Sequence, residues 1–420
     1  MGDRLKFLLN RIKERLWIRP LFMCVLSVAG VFLAMMMDRA DIGHLVLDIT
    51  TQSLETLLKI ISASMLVIAT FAVASMVSAY ASASTTATPR SFALIIADDV
   101  SQNALSTFIG AFIFSIVALI ALQNGYYDKS GRFALFTLTL ITFAIVIVTF
   151  VAWVDRIARL GRLGATIEKV EVAAAASMRR RRSAPTLRGM PASAHQDGGQ
   201  AIYAESIGYV QQIDVTALQR KAEKSQLRIS VAVLPGTFLA PNRALAYVAA
   251  DSGDLSEIDH GQIADAFLIG HGRVFDEDPR FGLVVLSEIA SRALSPAVND
   301  PGTAIDIIGR FVRLFALWNE PAGKGEERPV DCDRVSIPEL SVRDMFDDAF
   351  TSIARDGAGT IEVVTRLLKA FESLASIGDA TMREAATHHA RLALARAEKA
   401  LTLPDDVVVV RKLAAFAKTG

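Results

Sequence analysis

Four long apolar stretches dominate the first 155 residues: Trp17–Met37, Leu57–Tyr80, Ala104–Gln123 and Phe133–Val154. A helix rising 1.5 Å per residue needs about 20 apolar residues to cross about 30 Å of hydrocarbon, and each stretch is that long. Apart from Arg19 and Lys59 near the starts of the first two, the stretches contain no Asp, Glu, Lys, Arg or His. Four transmembrane helices follow. Beyond Asp155 the pattern changes, with Ile157, Leu160, Leu163, Ile167 and Val170 at helical spacing and Arg156, Arg159, Arg162 and Lys169 between them. This predicts a helix that continues out of the bilayer, its three arginines at lipid headgroups or simply forming the basic flank of the fourth span.

Residues 179–200 open with Arg179 to Arg182 and continue through Ser, Pro, Gly and Gln, a composition that predicts a mobile linker. Short β-type runs follow at Ile202–Glu205, Tyr209–Ile213, Leu227–Leu234 and Leu245–Ala249, with a helix over 215–225. After residue 255 the periodicity is helical: 257–270, 279–294 and 302–318, a polar loop at 319–340, then 341–356, 359–376, 379–401 and a tail helix at 405–417. Asp278-Pro279 and Asp300-Pro301 each place an N-cap carboxylate before a proline suited to a first turn, and Ser295-Pro296 repeats the device. The expected fold class is an α-helical membrane protein: four transmembrane helices plus a cytoplasmic α+β domain, a small β-rich module followed by a helical region. The expected boundaries are 1–155 (membrane), 156–200 (juxtamembrane basic helix and flexible linker), 201–254 (β-rich) and 255–420 (helical).

Composition agrees with a membrane protein, at 52% apolar residues and a mean hydropathy of +0.38. The 44 basic and 44 acidic residues cancel, which argues against nucleic acid as a partner. Basic residues precede the first span (Arg4, Lys6, Arg11, Lys13, Arg15, Arg19) and follow the fourth, whereas the loop after the first span carries Asp38, Asp41, Asp48 and Glu55 beside Arg39. The excess of Lys and Arg puts both termini in the cytoplasm, in a multi-pass protein of a plasma membrane with anionic lipid at its inner face. No small-residue cleavage site follows the first apolar run, so that run is expected to remain as an anchor. Two distant cysteines, Cys24 and Cys332, offer no disulfide framework.

In the second span Ser64, Ser75, Ser78, Ser82 and Thr86 share one helix face, with Ile68 and Phe71 among them. This hydroxyl-rich face reads either as a pore lining (Ser64, Phe71, Ser75, Ser78, Ser82) or as a packing ladder, since Ala74, Ser78 and Ser82 are small and four apart. No metal or cofactor motif, nucleophile elbow, dinucleotide fingerprint or complete phosphate loop occurs, so neither a cofactor nor an enzymatic activity is expected. Gly323-Lys324 lacks the first glycine and the Ser or Thr of such a loop. The six histidines are scattered, and Asp276, Glu277 and Asp278 read as helix-dipole partners or as oxygen ligands for a cation.

The most distinctive string runs from Arg292 to Ala304. It predicts a rigid corner between two helices, or an anion or partner site built from Arg292, Ser295, Asn299, Asp300 and Thr303. At this string the chain resembles the predicted bacterial membrane proteins of domain-of-unknown-function family 2254. Matching segments are Thr88-Pro89-Arg90, then Asp98, Asp99 and Gln102, then Gly208 to Asp214, Pro235 to Phe238 and Asp278 to Ala304. The resemblance implies a bacterial inner-membrane protein and no particular activity. Two functions are expected: a homo-oligomeric channel or conduit with a cytoplasmic gating or vestibule domain, or a non-conducting scaffold or sensor whose cytoplasmic domain binds a partner or small anion.

Overall fold

A computed structural model describes residues 17–36, 48–92, 94, 99–157, 159, 162–192, 199–250, 259–320 and 330–418. The basic residues at positions 4–15, most of the acidic loop after the first span, and Gly323-Lys324 lie outside the described residues. The chain divides into two compact units, residues 1–166 and 167–420.

The first unit holds four helices long and apolar enough to cross a membrane: α1 (Ile18–Met36), α2 (Thr51–Thr86), α3 (Asp99–Gln123) and α4 (Lys129–Ile157). Helices therefore occupy the four expected stretches; the first is one residue shorter at each end than expected, and the other three run on by three to six residues at one or both ends. Helix α3 packs against all three others, which explains why its membrane window is the most buried of the four. Its partners interlock through aromatic edges: Trp153 of α4 lies within 6.1 Å, centroid to centroid, of Phe71, Phe108 and Phe150. Thr88 accepts the backbone N–H of Arg90 and its carbonyl takes the Ser91 hydroxyl, so the Thr-Pro-Arg segment folds into a short 3₁₀ turn after α2. Thr88, Ser91, Ser101, Gln102 and Ser106 are buried around this junction, at the end of the bundle where α2 finishes and α3 starts.

The second unit opens with α5 (Leu163–Ser183), most of which belongs to it. The expected helix running on from Asp155 is divided, since α4 ends at Ile157 and α5 begins at Leu163. Residues 179–200 are not a linker throughout: Arg179 to Arg182 form the last turns of α5, followed by strand β1 (Gly189–Pro191). Their charge is compatible with helix because the guanidiniums find carbonyl acceptors. Arg180 Nε donates to Asp276 O (3.1 Å), Arg181 Nη2 to Glu277 O (3.3 Å) and Arg182 Nη1 to Leu317 O (2.5 Å).

Two sheets follow. The five-stranded sheet has the order β1-β8-β4-β6-β2, from β1, β2 (Gln200–Tyr203), β4 (Leu227–Val231), β6 (Ala244–Ala250) and β8 (Cys332–Ile337). The three-stranded sheet is β5-β3-β7, from β3 (Gly208–Ile213), β5 (Phe238–Leu239) and β7 (Phe267–Gly270). Helix α6 (Val215–Lys224) closes one side of a shared core that includes Leu218, Ile229, Val248 and Val335. The β-rich part thus extends past the expected 201–254. Strand β8 rises from the expected polar loop, and β7 replaces the second half of the expected helix 257–270, leaving α7 (His260–Ala264).

The remaining helices are α8 (Pro279–Ala293), α9 (Pro301–Asn319), α10 (Val342–Asp356), α11 (Ile361–Ile377), α12 (Ala380–Ala400) and α13 (Pro404–Leu413). Their common core is aromatic: Phe311 and Phe315 from α9, Phe346 and Phe350 from α10 and Phe371 from α11, all fully buried. Helix α5 rides on this layer. A Cβ on Gly282 of α8 would stand 2.4 Å from Ala174 Cβ, so only glycine permits that approach, and Glu171 takes Arg313 Nε (2.8 Å) and Arg310 Nη1 (2.5 Å) from α9.

Candidate functional site

A polar cleft in the second unit is assembled where separate segments of the chain meet. The Pro235-Gly236 turn is pinned to β3 by Gly236 N to Val210 O (2.8 Å) and Val210 N to Thr237 O (3.0 Å). Gly236 has φ +92°, and a Cβ there would lie 2.2 Å from Asp278 Oδ2, so the turn presses directly on that carboxylate. Asp278 caps α8 by accepting from Arg280 N (3.1 Å) and Phe281 N (3.2 Å). It also accepts both arms of Arg273, at 2.7 and 3.0 Å, while the Arg273 guanidinium lies 5.2 Å above the Phe281 ring. Arg280 turns the other way, donating to Asp348 (2.6 Å) and Asp344 (2.9 Å) on α10.

Arg273, Arg280 and Arg243 line one cleft of about 360 Å³ together with the 232–238 turn, Pro338, Leu340 and Asp344. The first two guanidiniums are fixed by carboxylates. Arg243 is exposed, and among the described residues its side chain has no ion-pair or hydrogen-bond partner. Burial pushes the Asp278 carboxyl up, and the bond from Arg273 opposes that shift. Burial also works against the charged form of Arg280, but Asp348 and Asp344 outweigh it and hold the guanidinium above its ordinary range. Arg181, buried behind the acidic triplet, is lowered to about 10 by burial, against the attraction of Glu277 and Asp278. Asp276 and Glu277 offer their backbone carbonyls to the arginines of α5, and Asp278 commits its carboxylate to the helix cap. No group of three or more His, Cys, Asp or Glu able to hold a metal ion occurs among the described residues. The arrangement is suited to binding: a ligand carboxylate or phosphate can meet a guanidinium without a partner among the described residues, beside two that are already oriented.

The residues singled out from sequence fall in three other places. The 292–304 string forms a corner, with α8 ending at Ala293 and α9 starting at Pro301. Asp300 caps α9 through Thr303 N (3.1 Å) and takes the Thr303 hydroxyl (2.6 Å), which holds its carboxyl below the usual range. Ser295 donates to Arg292 O (2.7 Å), and Asn299 adopts φ +49°. Ser295-Pro296 begins a turn and no helix. The corner's hydroxyls and carboxylate therefore serve its own backbone and one another, and Arg292 is exposed at its edge.

On α2, Ser64, Phe71, Ser78 and Ser82 are exposed and Ser75 is half-buried. The packed face of that helix is Leu54, Leu58, Ile61, Met65, Ala72 and Met76, roughly 100° around the axis. The hydroxyl face thus lies on the outside of a single chain and lines no path within it. Arg156 is half-buried in the last turn of α4, Arg159 pairs with Asp155 (3.1 Å) and Arg162 is exposed.

Sequence reasoning passed over the arginine cleft, because Gly236, Arg243, Arg273 and Arg280 are separated in the chain and carry no common spacing. Two signals were available. The Pro-Gly turn and the Asp278-Pro279-Arg280 cap belong to the matched segments Pro235 to Phe238 and Asp278 to Ala304, and the structure stacks one upon the other.

Over 226 residues the chain is 26% identical to the uncharacterized proteins Rv1290c of Mycobacterium tuberculosis and Mb1321c of Mycobacterium bovis, covering 51% of this chain and 43% of each relative. The chain spans less than half the length of these curated relatives. No solved structure matches it. Residues 13–373 match the family described as predicted membrane protein, DUF2254, and the chain is a member of that family.

Proposed function

We propose that this membrane protein is a sensor or scaffold whose second unit, on the cytoplasmic side, binds an anionic group in the cleft formed by Arg243, Arg273 and Arg280. The observation that carries this reading is the Arg243 guanidinium, which has no side-chain partner among the described residues and lines a polar cleft whose other two arginines are held in place. Titrating the full chain in detergent with pyrophosphate, a dicarboxylate and an acidic peptide, followed by thermal shift, tests it. At least one probe raises the melting temperature saturably. Arg243→Ala weakens that probe by about tenfold to a hundredfold, the equivalent of one charge-assisted hydrogen bond of about 1.5–3 kcal/mol. No shift with any probe, or equal affinity in the variant, rejects the reading.

A second reading rests on a different observation. The outward hydroxyl face of α2 suits lateral assembly of several copies, with a conduit running between them. Light scattering on the extracted protein then gives a ring-compatible subunit number, and Ser78→Leu alters ion flux into liposomes. A monomer that passes no ions under voltage or tension removes the conduit.

A further inference from the structure

The charges around the arginine cleft balance in number but not place by place. Arg273 is neutralised by Asp278, which takes both its arms. Arg280 stands against two carboxylates, Asp344 and Asp348, and so leaves one negative charge over on the α10 side. Asp344 is the more open of the two, its side chain 49% exposed against 18%, and it lines the cleft. Its Oδ2 takes Arg280 Nη1, while its Oδ1 has no partner among the described residues. Arg243, on the same cleft, leaves one positive charge over. Among the described residues it forms no ion pair with Asp344, so a ligand of either sign alone answers only half of the lining.

The remaining lining narrows the choice. The backbone N–H groups of Ala232, Leu234, Gly236 and Thr237 are all spent within the fold, so the turn adds no amide donors and an anion depends on the guanidinium. Phe238 of β5 also lines the cleft, its side chain half exposed and its ring steadied by Tyr209 with centroids 5.2 Å apart at 65°. A volume of about 360 Å³ lies near the lower end of the range that small-molecule sites occupy. A plain anion meets Arg243 but faces the surplus charge of Asp344, and a plain cation meets the reverse. A zwitterion satisfies both, through one charge-assisted hydrogen bond at each end. An α-amino acid carries its two charges on one carbon and leaves its side chain free for the Phe238 ring, where an aromatic group gains most.

We propose that the ligand of this cleft is a free aromatic α-amino acid, with its carboxylate on Arg243, its ammonium on Asp344 and its ring against Phe238. The proposal rests on the anion-binding reading above and narrows it to a zwitterion.

Calorimetric titration of the full chain in detergent with L-phenylalanine, 3-phenylpropionate, phenethylamine and phosphoethanolamine tests it. The wild-type protein binds phenylalanine at one saturable site. It binds 3-phenylpropionate, which lacks the ammonium, and phenethylamine, which lacks the carboxylate, at least tenfold more weakly. Asp344→Asn removes the surplus negative charge while Arg280 keeps Asp348, and it brings phenylalanine and 3-phenylpropionate to equal affinity. Phe238→Ala abolishes the preference for phenylalanine over glycine. If Asp344→Asn does not fold, the ligand series on the wild-type protein decides alone. Equal affinity for phenylalanine and 3-phenylpropionate in the wild-type protein overturns the proposal and leaves the anion reading standing. Binding of pyrophosphate without binding of phenylalanine does the same. Tighter binding of phosphoethanolamine than of phenylalanine overturns it in favour of a lipid headgroup, and no binding by any probe removes both readings.

Discussion

Asp278→Ala is expected to lower the melting temperature of the full chain in detergent by on the order of 10 °C. The side chain is 1% exposed and serves three partners at once: the cap of α8, the Arg273 guanidinium and the close face of the Gly236 turn. Removing one member of a buried ion pair leaves the other charge without compensation, a loss of about 3–5 kcal/mol. At about 2–4 °C per kcal/mol for a unit of this size, that is the stated shift. Asp278→Asn separates the contributions. The amide still caps α8 but carries no charge for Arg273, so it should retain part of the lost stability. A shift of less than about 2 °C in the alanine variant would show that Arg273 finds another partner, and the Gly236 turn would then need a different explanation.

Acid should weaken the helical layer through His389. Its ring sits among Phe346, Phe350 and Phe371 with centroids 5.7, 6.4 and 6.0 Å away, and burial lowers its pKa from 6.5 to about 4. Asp347, 3.1 Å from Nε2, opposes that shift, while His388, Arg343 and Arg396 reinforce it. Because the unfolded chain takes up the proton first, the neutral ring's contribution is complete above about pH 6.5 and disappears as the pH falls towards 4. The lost stability is about 3 kcal/mol, at 1.36 kcal/mol for each pKa unit. Melting curves of the wild-type protein and His389→Phe between pH 7 and 4 isolate this effect from the surface carboxylates, which both proteins share. The wild-type curve should fall more steeply. Parallel curves would mean that the ring is already charged in the folded protein or hydrated when it opens.

The parts of this fold that could be read from sequence are those governed by one local requirement. Four uncharged runs of about 20 residues have few alternatives to spanning a bilayer, and Asp278-Pro279 and Asp300-Pro301 do begin helices where their chemistry places them. Elements that depend on distant partners were hidden. The run Phe267-Leu268-Ile269-Gly270 has no period of its own and becomes a strand because β3 offers it a ladder. Strand β8 is short and partly charged, and it belongs to the sheet only through its parallel neighbours β1 and β4. Four consecutive arginines read as solvated chain, since nothing local indicates that carbonyls at Asp276, Glu277 and Leu317 will receive three of them. The cleft is hidden for the same reason. Its floor depends on a glycine whose missing Cβ matters only once Asp278 has been folded against it.

The attachment of α5 has a mechanical consequence. Its residues are anchored at three levels, by Ala174 against Gly282, by Glu171 on Arg310 and Arg313, and by Arg180 to Arg182 on backbone carbonyls. A twist or pull applied to α5 would be carried into α8 and α9 by a stiff lever arm, because its second half is bolted to α8, to α9 and to the segment that leads into α8.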